Sequence, residues 1–474
     1  MIQRRARGRS AQSEGCSVEN VTNWFGDVVS HPQVVVEVKS VSEIAAILKD
    51  PSRYPGPVRA IGSNHSTTRC GVADGGTVIK MSGLNRILEI GPDYVTAEGG
   101  ALYIDIAHEL QKHNLQFYVN CEIGCLSVGS AACAGTKDAS MPGEYGQVGS
   151  YITRIKLVLP SGDLLEVSDD QPELMQLVRS SYGLFGIVTE ATFKVRPIQP
   201  MAVHHKTFTL EEFVAKLPEL KELGYSMMYY MFPFENLITV EFRNYNPAAT
   251  GNPDGHVWPL RNYMWATSGP LVCAQTERDV PIPAIRYKII DGVSALWRFN
   301  LENIVTSPNT VATDQIIRYP PTGGASKYTF SLWAFPAESY PTVLPKYFDW
   351  VRNYYETTGY RVNMLHVGYS IRKDQQSYFS YSNDGDVMTI DPVSTANSGW
   401  STFLDAYNQY CSDQGGIPLL NQTPRLTRAQ AQKALGSRLQ KFAAARKTYD
   451  PKERLMNDFF RDLLAEADAV APTA

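Results

Sequence analysis

Long apolar runs are missing from this chain: no stretch approaches the roughly 20 consecutive apolar residues that a membrane-crossing helix needs. An excess of one charge is missing too. The 44 Lys and Arg residues against 48 Asp and Glu leave a formal net charge of −4. No basic stripe runs along any predicted helix, which argues against a nucleic-acid partner. The basic start (Arg4, Arg5, Arg7, Arg9) has no apolar run behind it, so a secretory signal is not expected. Residues 1–19 read as a polar tail or as an organelle transit segment, and the expected location is the cytoplasm, with organelle targeting left open. Cysteine is sparse. The seven residues are odd in number and hold no Cys-x-x-Cys pair, so neither a disulfide framework nor a zinc site is expected. The common nucleotide and nucleophile signatures are absent as well: no G-x-G-x-x-G after a strand, no G-x-x-x-x-G-K-[ST], no G-x-S-x-G.

What remains is an ordinary globular composition, 43% hydrophobic and 19% charged, in 474 residues, enough for two or three domains. From Val34 short strands alternate with helices. Val34 to Val38 is β-branched, and Ser40-Val41-Ser42-Glu43 is a capping box opening a helix over Ile44 to Leu48. Val58 to Ile61, Thr77 to Met81, Ile87 to Ile90 and Tyr94 to Ala97 read as strands. Tyr103 to His113 has helical period, burying Ile104, Ala107 and Leu110. Ile152 to Leu159, the turn Pro160-Ser161-Gly162-Asp163 and Leu164 to Val167 predict a hairpin, and Ile187 to Val195 a further strand. Pro197 and Pro200 mark a boundary. Beyond it the chain is rich in aromatics, with strands, crossing helices and polar loops at 245–256 and 382–399, suiting either an aromatic-lined pocket or a core. The tail from Thr427 to Leu464 is helical in composition, broken at Asp450-Pro451.

Two runs of small residues carry the chemistry. Arg59-Ala60-Ile61-Gly62-Ser63-Asn64-His65-Ser66 follows a strand and ends at one histidine. Small residues let successive backbone N–H groups converge on an anion such as a pyrophosphate. Ser127 to Thr136 contains no long side chain, which suits either a backbone passing close to a flat ligand or tight helix–sheet packing.

The order of "NWFGD" (23–27), "RAIGSNHS" (59–66), "SVGSAACAGTKDAS" (127–140), "ITRIKLVLPSGDLLEVS" (152–168) and "FGIVTEATFKVRP" (185–197) resembles the vanillyl-alcohol-oxidase, or PCMH-type FAD-binding, superfamily. Within it the chain is most similar to alditol and sugar-lactone (aldonolactone) oxidases, whose closing Asp-Pro-x-x-x-Phe-x-Asn is matched at 450–457 with Leu455 for Phe. The resemblance implies an α+β fold: a two-subdomain FAD-binding domain over 20–200, an α+β cap (substrate) domain over 201–415, and a helical segment over 416–474 returning to the FAD domain. It implies FAD as cofactor, covalently held through His65, with Cys125, 60 residues on, as a candidate for a second bond. The implied cofactor contacts are Ile61, Gly62, Ser63, Asn64, His65, Ser66, Ile123, Cys125, Ser127, Val128, Gly129, Ala134, Thr136, Lys137 and Ile187.

Two departures matter. Thr136-Lys137-Asp138 stands where the family has Thr-His-Gly, and Lys137 either faces the flavin or points to solvent with Asp138 as partner. The family's Glu-x-Arg is matched only by Ser370-Ile371-Arg372, and Asn421 and Gln422 stand near the place of its lysine. Arg372, Lys137, His366 and Tyr369 are therefore the catalytic candidates. The expected activity is oxidation of a CH–OH group of a polyol, sugar lactone or specialised metabolite, by hydride transfer to flavin N5 and reoxidation by O2. The alternatives are a dehydrogenase using a quinone or protein acceptor, and a non-catalytic flavin- or ligand-binding protein.

Overall fold

The computed structural model describes residues 19–320 and 326–465; the basic start and Cys16 lie outside them. Four sheets organise the described residues: a two-stranded pair, Val21–Thr22 with Val29–Ser30, and three larger ones. Val34–Glu37, Thr77–Lys80 and Val58–Ile61 form a three-stranded parallel sheet with Thr77–Lys80 in the centre. Parallel pairing requires crossovers, and the helix Val41–Lys49 supplies the first. Ser40 accepts from the Glu43 amide and the Glu43 carboxylate reaches back to the Lys39 amide, so the expected cap forms with its return bond one residue earlier.

A six-stranded antiparallel sheet follows, ordered Leu164–Ser168, Ile152–Val158, Ile187–Pro197, Tyr94–Glu98, Ile87–Ile90, with Leu115–Phe117 also on Ile187–Pro197. The hairpin read from the Pro-Ser-Gly-Asp turn is its edge. The helix Tyr103–Lys112 buries Ile104, Ile106, Ala107 and Leu110 against it.

A nine-stranded antiparallel sheet is built from the second half of the chain. Its order is Ser307–Val311, Pro200–Thr209, Leu237–Tyr245, Ser226–Phe232, His366–Ile371, Val387–Ser394, Trp333–Pro336, Ile417–Pro418, with Thr329–Phe330 beside Val387–Ser394. Its two faces have different fates. Met227, Tyr229 and Met231 pack on the helices Leu210–Glu222, Tyr340–Thr358 and Trp400–Asp413. Met228, Tyr230 and Phe232, alternating with them, face the other cluster, with Trp258, Trp265, Trp297 and Tyr328. The fully buried strand Val387–Ser394 lies inside the segment 382–399 that reads as a polar loop.

The C-terminal helices Arg428–Leu435, Ser437–Tyr449 and Asp458–Leu464 pack into the core of the antiparallel sheets, and the segment 450–457 between the last two reaches the parallel sheet. Arg454 donates to the carbonyls of Ile47 and Leu48, and the Asn457 amide to those of Arg69, Cys70 and Val72. Among the described residues no helix is long and apolar enough to cross a membrane.

Candidate active site

Two cavities meet in the middle of the molecule. The larger, about 1070 Å³ with the open solvent at its mouth included, runs between the parallel and antiparallel sheets. Its floor is the segment 61–66, leaving the end of the strand Val58–Ile61. Asn64 sits in the left-handed region at φ 53°, held by its amide on the Thr22 carbonyl and by the Trp24 amide on its own carbonyl. This conformation turns successive amides to one side. Among the described residues, the N–H groups of Ser63, Asn64, His65 and Ser66 donate to no protein acceptor. Four such donors at a cavity wall need an anion or water.

The opposite wall is the second small-residue run, where Ser127, Gly129, Ser130, Cys133, Ala134 and Thr136 face the cavity. Gly62 is required by closeness: a Cβ there would stand 2.0 Å from Ser127 Oγ. The run both packs and lines, since Val128–Cys133 is a short helix seated on the sheet, with the Gly129 amide on the Gly99 carbonyl. Asn421 closes one end. Its Nδ2 donates to Gly135, while its Oδ1 is buried and unpartnered among the described residues. Unpaired amides, a glycine cradle and an orphaned acceptor are what a phosphate-bearing, hydrogen-bonding cofactor such as FAD would satisfy.

His65 stands in this wall, stacked on Trp24 with ring centroids 5.0 Å apart and planes at 23°. Burial, and then the Lys327 ammonium, push its imidazole down to about pKa 4, so the ring is neutral at ordinary pH.

The smaller cavity shares Ile123, Leu126, Thr136 and Gln422 with the first and continues under the nine-stranded sheet. Trp265, Tyr328, Phe330, Val367 and Val393 give it an apolar wall. Trp265 is carried on a π-helical turn, Met264–Ser268. The polar side is a linked set. Lys137 Nζ lies 3.2 Å from Asp391 Oδ2 and 3.4 Å from the centroid of the Tyr369 ring. The Tyr369 hydroxyl donates to Glu122 at 3.0 Å, and Glu122 pairs with the buried Arg261 guanidinium. Burial outweighs the attraction between Lys137 and Asp391: the carboxyl rises to about pKa 6 and the ammonium is lowered. Asp391 Oδ1 has no hydrogen-bond partner among the described residues. A buried carboxylate with one free oxygen, titrating near neutrality, has the properties of a general base.

The residues singled out from sequence divide accordingly. Ile61, Gly62, Ser63, Asn64, His65, Ser66, Ile123, Ser127, Gly129, Ala134, Thr136 and Ile187 line the first cavity; Lys137 and Tyr369 line the second. Cys125 and Val128 line neither. Val128 is core, and Cys125 Sγ takes a hydrogen bond from the Tyr319 amide, its thiol pushed up by burial. His366 and Arg372 are also displaced, and strand parity is the reason. Val367 and Tyr369 face the cavity, so His366 faces the helices, where its Nδ1 meets the Tyr347 hydroxyl at 2.8 Å. Arg372 follows the strand's end and is exposed. Lys137 is buried on Asp391 rather than solvated beside Asp138, which pairs instead with Arg243. Asp391, Glu122, Arg261 and Trp265 were not legible as a site. Only Asp391 and Glu122 carry any signal, as acids within largely apolar or uncharged stretches.

Residues 32–168 match the family described as FAD binding domain. The L-gulono-1,4-lactone dehydrogenase of Mycobacterium tuberculosis is 23% identical over 446 residues, covering 94% of this chain and 98% of that one. The L-gulonolactone oxidase of Scyliorhinus torazame is 26% identical over 222 residues, 46% of this chain and 50% of that one. The crystal structure of cholesterol oxidase from B. sterolicum superposes with a TM-score of 0.73 at 16% identity, covering 94% of this chain and 96% of that one, a likeness of fold. With an FAD binding domain at residues 32–168 and a likeness to a lactone dehydrogenase along nearly its whole length, the chain is an FAD-dependent oxidoreductase.

Proposed function

We propose that this enzyme oxidises a CH–OH group of a polyol, a sugar lactone or a specialised metabolite, with O2 as the final electron acceptor. The observation that carries this reading is Asp391, which lines the cavity that opens onto the first one and has its Oδ1 without a hydrogen-bond partner among the described residues. FAD, when bound, supplies the hydride acceptor at its N5. In the proposed reaction Asp391 takes the substrate's hydroxyl proton, and Lys137 offsets the negative charge that gathers on that oxygen. Glu122 and Arg261 position the Tyr369 ring on which the Lys137 ammonium rests. Trp265, Tyr328 and Phe330 exclude water from the reacting carbon. In this assignment residues 20–200, with the chain from 416 onward, hold the cofactor and 201–415 form the cap.

Anaerobic mixing with a panel of polyols and aldonolactones tests the reading: at least one should bleach the flavin, and none doing so would overturn it. The named relatives include both a dehydrogenase and an oxidase. Stoichiometric hydrogen peroxide under air supports O2 as acceptor. Turnover only with an added quinone or ferricytochrome c would select the dehydrogenase.

The cofactor is proposed to be linked once, through His65. The neutral imidazole offers a nitrogen lone pair in the cofactor cavity, whereas the Cys125 thiol lies outside it. After acid precipitation the yellow colour should stay in the protein pellet. In His65→Ala it should pass to the supernatant. Colour in the wild-type supernatant would remove the link while leaving FAD binding intact.

A further inference from the structure

The helix Pro283–Asn303 is apolar on two sides. Its inner side buries Tyr287, Ile290, Trp297 and Leu301, and Trp297 meets Trp265 of the cavity wall edge-to-face at 5.0 Å. Its outer side leaves Ile285, Ile289, Leu296 and Phe299 between 40% and 59% exposed, and Ile282 at the N-cap continues the row at 54%. With Gly292, the positions 282, 285, 289, 292, 296 and 299 step by three and four without interruption. That is the narrow seam of a two-helix contact rather than a broad face.

We propose that this seam is the contact between two copies of the chain, seated antiparallel about a two-fold axis passing between positions 290 and 291. Two features favour a second copy in this orientation. First, the antiparallel register uses every seam position at once: Ile282 against Phe299 of the second copy, Ile285 against Leu296, Ile289 against Gly292. Second, nothing stands within 4 Å of where a Gly292 Cβ would be, and a mid-helix glycine costs about 1 kcal/mol relative to alanine in an exposed helix. The antiparallel register fills that space with Ile289 of the other copy, whereas a parallel one would set glycine on glycine and leave a hole. The contact is self-complementary, as a closed dimer requires.

Sedimentation velocity on the full-length, flavin-loaded protein tests this. The wild type should sediment as a dimer, and Ile289→Glu and Leu296→Glu as monomers with an unchanged flavin spectrum. Orientation is read by disulfide trapping under mild oxidation. The double variant Ile285→Cys/Leu296→Cys should give a cross-linked dimer on a denaturing gel, and neither single variant should. Within one chain the two positions lie about 16 Å apart along the helix, too far for an internal bond. A monomeric wild type would overturn the proposal, as would cross-linking of Ile285→Cys alone, which reports parallel seating, or a dimer in which the double variant never cross-links. Monomers that co-sediment with phosphatidylserine vesicles would overturn it in favour of a lipid surface.

Discussion

Asp391→Asn is expected to slow anaerobic flavin reduction by about 10²–10⁴-fold, the usual contribution of a positioned general base. The substitution keeps the side chain's size and its place opposite Val367 in the sheet, but the amide cannot accept the substrate's proton. Asp391 does not line the cofactor cavity, so flavin content should be unchanged, and that separates lost chemistry from lost cofactor. The pH profile gives an independent readout. Burial raises the Asp391 carboxyl to about pKa 6, so it holds its proton to a higher pH than an ordinary carboxylic acid. The base form therefore exists above about pH 6 and is lost as pH falls through that value. Wild-type kcat/KM should accordingly decline on the acid side, roughly tenfold per pH unit below pH 6, and the decline should vanish in Asp391→Asn. Lys137→Met should move the same limb to higher pH, because the ammonium is the charge that opposes the effect of burial. A wild-type profile flat through pH 6 would reassign the base.

Much of the fold is legible because local rules agree with the global arrangement. The Ser40 cap, the Pro160–Asp163 turn and the Ile104–Leu110 periodicity each specify one element, and each element forms. The cofactor wall is legible for a similar reason. Unpaired backbone amides line that wall at 63–66, and only small residues allow them to converge, so the arrangement is written directly into composition at 61–66 and 127–136. The reacting centre is written differently. Asp391 sits in Thr-Ile-Asp-Pro-Val-Ser, flanked by Asn383-Asp384-Gly385-Asp386 and Asn397, a pattern that reads as loop. It becomes a strand because neighbours on both sides supply pairing and its polar groups find distant partners: Lys137 for Asp391, Asn363 and Asn397 for Ser394. Tertiary context overrides propensity there. Tyr369 lines the cavity while His366, a candidate from the same strand, faces the helices, and the sequence hides this for another reason. A strand's period of two is visible in the sequence, but its phase depends on which face the helices cover.

Arg243→Met is expected to cost about 3–5 kcal/mol of stability, as breaking a buried ion pair by removing one partner does. Arg243 holds both oxygens of Asp138, at 2.7 and 2.9 Å, and Gln315 at 2.8 Å, with both ion-pair side chains at most 5% exposed. Without the guanidinium, Asp138 keeps only the Gln315 amide and the Ala139 backbone amide, and is buried with an uncompensated charge. An exposed pair such as Arg425–Asp405 should change stability by no more than about 1 kcal/mol. Urea midpoints of the two variants would show the contrast. Pairing Arg243→Met with Asp138→Asn should recover part of the loss, because one of the two carboxylates that Arg243 faces is then neutral, leaving Glu241 with His205 and Tyr230. If the double variant is as unstable as the single, the cost lies in packing of the long side chain instead. The pair also joins the segment that carries Lys137 to the strand Leu237–Tyr245 of the nine-stranded sheet. Asp138 follows Lys137 directly, so slackening this tie should displace the ammonium from Asp391. In folded Arg243→Met the acid limb of kcat/KM should therefore shift upward in the direction expected for Lys137→Met, a change that lost stability alone would not produce.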